Sequence, residues 1–397
     1  MSTESSGQSP ARLVSLDAYR GFVMFLMMAE VLSLANVARA LPDSRFWAFL
    51  AHHQDHVAWV GCSLHDLIQP SFSFLVGVAL PFSLAARRAR GQSPLHMRLH
   101  AFWRALVLVA LGIFLRSVGA KQTNFTFEDT LTQIGLGYGF LFLLGERSVK
   151  VQWLALAAIL AGYWTFFALS PLPGPDFNWK LAGVASDWPG NLTGFAAHWN
   201  KNTNPAWTFD VWFLNLFPRT RPFANNGGGY VTLSFIPTLG TMILGLIAGG
   251  WLRANQPPGD KLQRLVIAGV AGLTLGWLFN ATGVCPIVKR IWTPAWVLFS
   301  GGWCCLLLAA FHFAIEGRGW RKWAFPLVVV GANSIAAYCL AHLTVGFLAS
   351  SIHTHVGDGF WLVLGAAYQP FLFGAGVLLV EWLILLWMYR RRLFLKI

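Results

Sequence analysis

Ten continuous apolar runs limit what this chain can fold into. They lie near 16–40, 66–86, 100–118, 129–145, 151–170, 230–252, 263–281, 293–315, 325–349 and 362–389. A helix needs about 20 apolar residues to cross the hydrocarbon of a bilayer, where each backbone polar group must find its partner inside the protein. The runs are continuous rather than alternating, which argues against a transmembrane β-barrel. Composition agrees: 56% of the 397 residues are hydrophobic and only 11% are charged, whereas a soluble domain carries about 25% charge. The expected fold is all-α, a polytopic transmembrane helical bundle of about ten helices, read as a single transmembrane domain over 1–397. Pro370 is expected to kink the last run or to split off a short interfacial stretch.

The basic residues orient the bundle. An even number of crossings puts both termini on one side. Of the 29 Lys and Arg, 19, including Arg12, Arg20, Arg104 and Lys396, then fall on that side and 10 on the other. Cytoplasmic loops collect positive charge, so both termini are expected in the cytoplasm, in an inner (plasma) membrane. This dispersal also accounts for the net charge of +13 without nucleic acid. The first run is expected to stay as a helix rather than be cleaved as a signal peptide, because Asp17 and Arg20 stand at its start. The five cysteines fit no metal or redox spacing.

One loop stands out, at 171–229 on the expected periplasmic side. It combines seven prolines with Trp179, Trp188, Trp199, Trp207 and Trp212 and with Asn178, Asn191, Asn200, Asn202, Asn204, Asn215, Asn225 and Asn226. Tryptophan faces and amides suit a carbohydrate; a proline-stiffened cap with its tryptophans at headgroup level accounts for them equally well.

The densest polar cluster follows the first run: His52, His53, Gln54, Asp55, His56, Trp59, His65 and Asp66. No second set of ligands completes a zinc site, so no metal is expected. Asp66 is placed either to stabilise a helix N-terminus or to orient a nearby imidazole. Within the runs polar residues are few. Glu30 lies ten residues after Arg20, about 15 Å further along a helix and near mid-membrane, where an ionisable group is costly. His312, His342 and Glu381 read as structural, and Asn333 with Ser334 as helix-bridging or cavity-lining.

Taken together these residues form a pattern. Ser15-Leu16-Asp17-Ala18-Tyr19-Arg20-Gly21-Phe22 resembles the first-helix signature of the heparan-α-glucosaminide N-acetyltransferase family and its bacterial relatives. His56-Val57-Ala58-Trp59-Val60-Gly61, with Asp66-Leu67 and Pro70, resembles that family's His-x-x-Trp-x-Gly…Asp-Leu…Pro motif. Gly228-Gly229-Tyr230 to Gly245, Lys289-Arg290-Ile291-Trp292-Thr293-Pro294 to Gly301-Gly302-Trp303, and Gly331-Ala332-Asn333-Ser334-Ile335 with Tyr338 follow in family order. The resemblance implies a membrane acetyltransferase that takes the acetyl group of cytoplasmic acetyl-CoA to an amino sugar on the far side. It places the active histidine at His56, which the charge bias independently puts at the outer face. The family often has Asn near the outer half of the first helix, where this chain has Glu30, and the chain is expected to be without the extra luminal domain and additional helix of the animal lysosomal enzymes.

Acyl transfer needs a base or nucleophile, and imidazole supplies either. His56 and Asp66 are therefore the expected catalytic pair, with Asp66 fixing the tautomer and Trp59 shaping the pocket. Glu30, Lys289 and Asn333 are candidates for substrate contacts, and Arg20 and Arg104 for the CoA phosphates. Expected partners are acetyl-CoA, a carbohydrate or amino-sugar acceptor and the bilayer, with a homodimer left open. The rival from another class is a transporter for a sugar or an anion, which Glu30 and the aromatic loop would suit.

Overall fold

A computed structural model describes residues 13–395, so Arg12 and Lys396 lie outside the described residues. Every apolar run carries helix, because a long apolar segment can satisfy its backbone only internally. In chain order the helices are α1 (Val14–Met28), α2 (Leu34–Ala40), α3 (Arg45–Gln54), α4 (Ile68–Ala89), α5 (Pro94–Ser117), α6 (Thr130–Gly145), α7 (Val149–Ala168), α8 (Trp179–Ala182), α9 (Pro205–Phe213), α10 (Phe235–Arg253), α11 (Pro258–Ala281), α12 (Pro294–His312), α13 (Phe325–Ala332), α14 (Ser334–Leu343), α15 (Val345–Val356) and α16 (Gln369–Arg390).

The chain is a multi-pass helical membrane protein. Among the described residues seven segments are long and apolar enough to cross a membrane singly, namely His65–Ala89, Pro94–Ser117, Val149–Ala168, Thr232–Arg253, Pro258–Ala281, Pro294–Gly317 and Ala366–Arg390. Two expected crossings are broken instead. The first run bends by 44° between Val14–Leu32 and Leu34–Ala40, at Ser33, whose φ of 50° is left-handed. The run expected at 325–349 bends by 81° between α13 and α14. Asn333 makes that break. Its backbone leaves the helical region, and its side chain clamps the C-terminal tail, donating to Leu393 O at 2.7 Å and accepting from Leu395 N at 3.1 Å. With each bent pair taken as one span the count reaches nine, and α6, at 16 residues, remains a shorter apolar helix. Pro370 does not kink the last run but marks the start of its helix, the run's first residues being split off into short turns before it. It stands in the first turn of α16, where its missing N–H would have had no helical partner.

Close backbone approach builds the centre of the bundle. A Cβ on Gly245 of α10 would lie 1.9 Å from the Phe74 carbonyl oxygen of α4, and one on Gly77 would lie 2.0 Å from that of Met242. Only hydrogen fits at either place, the small-residue packing by which helices associate inside a bilayer.

The 171–229 loop folds as a cap. Trp199 is fully buried and stacks on Phe167 of α7 at 6.4 Å, with Trp292 and Trp296 in the same apolar cluster. Most of its asparagine side chains bond within the loop, whereas Asn226 donates to Glu128 outside it and lines the cavity described below. Asn200 exchanges hydrogen bonds with Leu192, Asn202 donates to Ala182 O and Asn226 O, and Asn204 caps α9. Of the two expectations for this loop, these residues follow the stiffened cap. Trp199 and Trp207 are core side chains rather than open stacking faces.

Candidate active site

The site is assembled where the loop between α3 and α4 meets the loop between α11 and α12. The Val60–Val288 bridge and the Gly61 N to Ile287 O hydrogen bond (3.0 Å) tie the two loops together. Arg290 reinforces the junction by donating to Val57 O at 3.1 Å and Gly228 O at 2.7 Å. The result is a fixed frame for three side chains 233 residues apart at most.

Asp66 sits at the turn that leads into α4 and is 1% exposed. Its Oδ2 accepts from Ser63 N at 3.0 Å and Val57 N at 3.3 Å. Its Oδ1 lies 2.8 Å from His56 Nδ1 and 3.3 Å from Lys289 Nζ, and Nζ is 3.2 Å from the same Nδ1. An ionised carboxylate only accepts, so at 2.8 Å the proton of His56 belongs on Nδ1. That leaves the Nε2 lone pair of His56 without a hydrogen bond among the described residues, in the wall of a cavity of about 290 Å³.

Lys289 is buried, and burial pushes its ammonium down to about 8, against the attraction of Asp66. The nearby Arg290 also disfavours its charge. The cluster holds one carboxylate, one partly deprotonating lysine and one imidazole with a free nitrogen. This arrangement suits proton transfer or nucleophilic attack at Nε2.

The facing wall carries a second ionic group. Asp129, the N-cap of α6, accepts from Arg116 Nε at 3.0 Å and from the Tyr338 hydroxyl at 2.9 Å. The His342 ring stacks on Tyr338 at 4.3 Å. Glu30 and Glu128 also line the cavity.

No protein-family model matches the chain. Human heparan-alpha-glucosaminide N-acetyltransferase is 23% identical over 373 residues, covering 83% of this chain and 52% of the human protein. The mouse protein of the same name is 27% identical over 112 residues, 28% of this chain and 15% of its own length. This chain is similar to the heparan-alpha-glucosaminide N-acetyltransferases. It spans about half the length of the human relative.

The structure brings together only some of the residues expected at the site. His56, Lys289 and Glu30 share the cavity, and Asp66 is buried behind His56 and Lys289, outside its lining. Glu30 is exposed there, in the single turn that follows α1 and ends at the break at Ser33. Trp59 does not line the cavity. It is 2% exposed and donates to Trp199 O at 3.1 Å, so it pins the cap instead of shaping the pocket. Arg20 pairs with Asp17 at 3.2 Å, and Arg104 bonds the Tyr138 hydroxyl at 3.3 Å while stacking on its ring. Neither lines the cavity, and Asn333 is occupied with the tail.

Arg116, Glu128 and Asp129 escaped the sequence reading because they stand in unremarkable loop and helix-end contexts. The Asp129-Thr130 start of a helix was a legible cap but not a legible site. His342 and Tyr338 were visible, and only the fold turns them towards His56. Of the four clustered histidines, His56 and His65 pack side by side with ring centroids 4.6 Å apart and both line the cavity, whereas His53 accepts from Leu64 N at 3.2 Å and His52 is exposed outside it.

Proposed function

We propose that the chain is a membrane acetyltransferase that passes the acetyl group of acetyl-CoA, supplied from the cytoplasm, to an amine or hydroxyl of a sugar on the periplasmic side of the inner membrane. The observation that carries the reading is the free Nε2 of His56, fixed by Asp66 on Nδ1, facing a polar cavity in a relative of an N-acetyltransferase. The His56 end of the bundle is read as periplasmic from the bias of 19 basic residues to 10.

In this reading the acceptor N–H or O–H gives its proton to Nε2 as its heteroatom bonds the thioester carbonyl. The C–S bond then breaks, and the proton on the imidazolium passes to the leaving thiolate. Asp66 keeps Nδ1 protonated throughout and stabilises the imidazolium that forms. Lys289 opposes it, being a cation 3.2 Å from Nδ1. As pH rises through about 8, Lys289 loses its proton and the imidazole becomes the stronger base. We therefore expect kcat/KM to climb through an inflection near 8. Lys289→Met should remove that inflection from a measured pH–rate profile, whereas an unchanged profile would exclude Lys289 from the proton balance.

The direct test uses purified protein in lipid nanodiscs with isotopically labelled acetyl-CoA and a panel of amino sugars and glycans. Mass spectrometry should find one labelled acetyl group on a sugar. Absence of transfer to every sugar in the panel would sink the reading.

A further inference from the structure

A groove on the flank of the bundle begins where the His56 cavity ends, and two elements lead from one into the other. Along the first run Met24, Met27 and Glu30 line the cavity, while Val31 and Ser33, just beyond, line the groove. Along α14 and α15 the stripe Tyr338, His342, Val345, Ala349 steps by three or four residues, the spacing of one helical face. Its first two members line the cavity and its last two the groove. Phe373 and Val377 of α16 form the far wall of a space of about 460 Å³. Gly374 closes its floor: a Cβ there would lie 2.1 Å from the Val31 carbonyl oxygen, so α16 meets the first run backbone to backbone.

Lining and setting together select the occupant. Apart from Ser33, Asn36 and Gln369 the groove is apolar. It opens past α15, in which no residue is buried and whose Phe347 is 70% exposed. In a multi-pass membrane protein such a face meets hydrocarbon. Ser33 follows Val14 by 19 residues, about 28 Å along a helix, close to the thickness of the hydrocarbon core. The groove therefore lies at the level of the leaflet on the His56 side. Broken backbone at that depth needs its polar groups satisfied by protein. Gln54 does this, accepting from Leu34 N at 2.7 Å and donating to Ala29 O at 2.6 Å, so the break beside the groove is held open by a side chain. A free sugar gains nothing from an apolar wall. A sugar joined to a hydrocarbon chain fits both spaces, its head among the polar groups at His56 and its chain along α15 and α16.

We propose that the acceptor is a glycolipid: the groove between α2, α15 and α16 holds its hydrocarbon chain and so delivers its sugar to His56 from within the membrane. The inference rests on the acetyltransferase reading for what happens to the sugar, whereas seating of the chain does not depend on transfer. The experiment uses the full chain in phospholipid nanodiscs with methyl and dodecyl β-glucosaminide, and a dodecyl probe carrying a diazirine at the chain end. Without acetyl-CoA, light should attach that label to groove residues of α15 and α16. Excess unlabelled dodecyl glucosaminide should suppress the labelling, and added phospholipid should not. With acetyl-CoA, the dodecyl sugar should be acetylated at the higher kcat/KM. Partition into the bilayer also favours the longer chain, so the dodecyl-to-methyl ratio is compared between variants, for which partition is the same. Ala349→Trp fills the groove from the α15 wall, and Asn36→Trp fills it from the exposed α2 wall. Each should lower the ratio about tenfold, since misplacing the reacting groups by about 1 Å can cost a hundredfold in rate. A partly unfolded sample would not mimic this, because it lowers both rates alike. Equal rates in the wild type, a ratio untouched by both substitutions, or label scattered around the lipid-facing perimeter would overturn the proposal. Suppression of the label by phospholipid would overturn it too, by making the groove a seat for bulk lipid. Groove labelling without acetylation of either sugar would discard the transfer reading and leave the chain site standing. Acetylation of the methyl sugar with no groove labelling would do the reverse.

Discussion

His56→Ala should abolish acetyl transfer while leaving the protein folded. Removing a general base costs about 10²–10⁴ in rate, and the loss is larger if the acetyl group passes through Nε2 covalently. Structure supports survival of the fold. The His56 side chain is one-third exposed and lies in a cavity wall, not in the apolar core. Its removal leaves Asp66 with Ser63 N, Val57 N and Lys289 as partners. His52→Ala is the matched control, because His52 belongs to the same loop end but is exposed and outside the cavity. Initial rates of labelled acetyl transfer decide the matter. A His56→Ala rate within about threefold of wild type, far short of the range for a lost base, would remove the catalytic assignment.

Asp66→Asn should cost nearly as much by another route. The oxygen that accepts from Ser63 N and Val57 N must remain an acceptor, so the carbonyl of the new amide takes the Oδ2 position. Its NH2 group is then forced towards His56 Nδ1 and Lys289 Nζ. The amide donates to Nδ1, the ring proton moves to Nε2, and the lone pair needed in the cavity is lost. In serine-protease triads the corresponding change costs about 10⁴ in kcat. The substitution also strips Lys289 of its counterion, and breaking a buried pair from one side typically costs about 3–5 kcal/mol. The two effects separate cleanly. Asp66→Asn combined with Lys289→Met should regain thermal stability in a melting experiment while transfer stays abolished. Recovery of activity along with stability would show that Asp66 acts only on folding.

The ten apolar runs were legible because the bilayer leaves a long apolar segment one conformational choice. Sequence also marked His56 and Asp66, ten residues apart on one loop, since imidazole and carboxylate in a family motif need no tertiary information to be noticed. It could not show how the runs bend. Ser33 and Asn333 look ordinary in a hydropathy profile, yet each ends a helix, and the 81° turn at Asn333 depends on a tail 60 residues later. Nor could it settle the aromatic loop, because Trp and Asn suit both a sugar site and a packed cap. Burial of Trp199 and Trp207 and the internal bonding of Asn200 and Asn202 assign those residues to the packed cap.

What the sequence by itself determined is whatever follows from local chemistry: helical crossings, an uneven spread of charge, and a histidine with a carboxylate nearby. The tertiary structure alone decided which distant groups face that histidine. Lys289 meets it across 233 positions of chain because a two-loop junction holds it there. Asp129, Arg116 and Tyr338 face it because α5, α6 and α14 converge on one cavity. The physical reason is range. Hydropathy and helix formation are settled over about a turn to a span of contiguous residues, whereas a buried ion pair is settled by packing between segments whose separation in sequence carries no information about their distance.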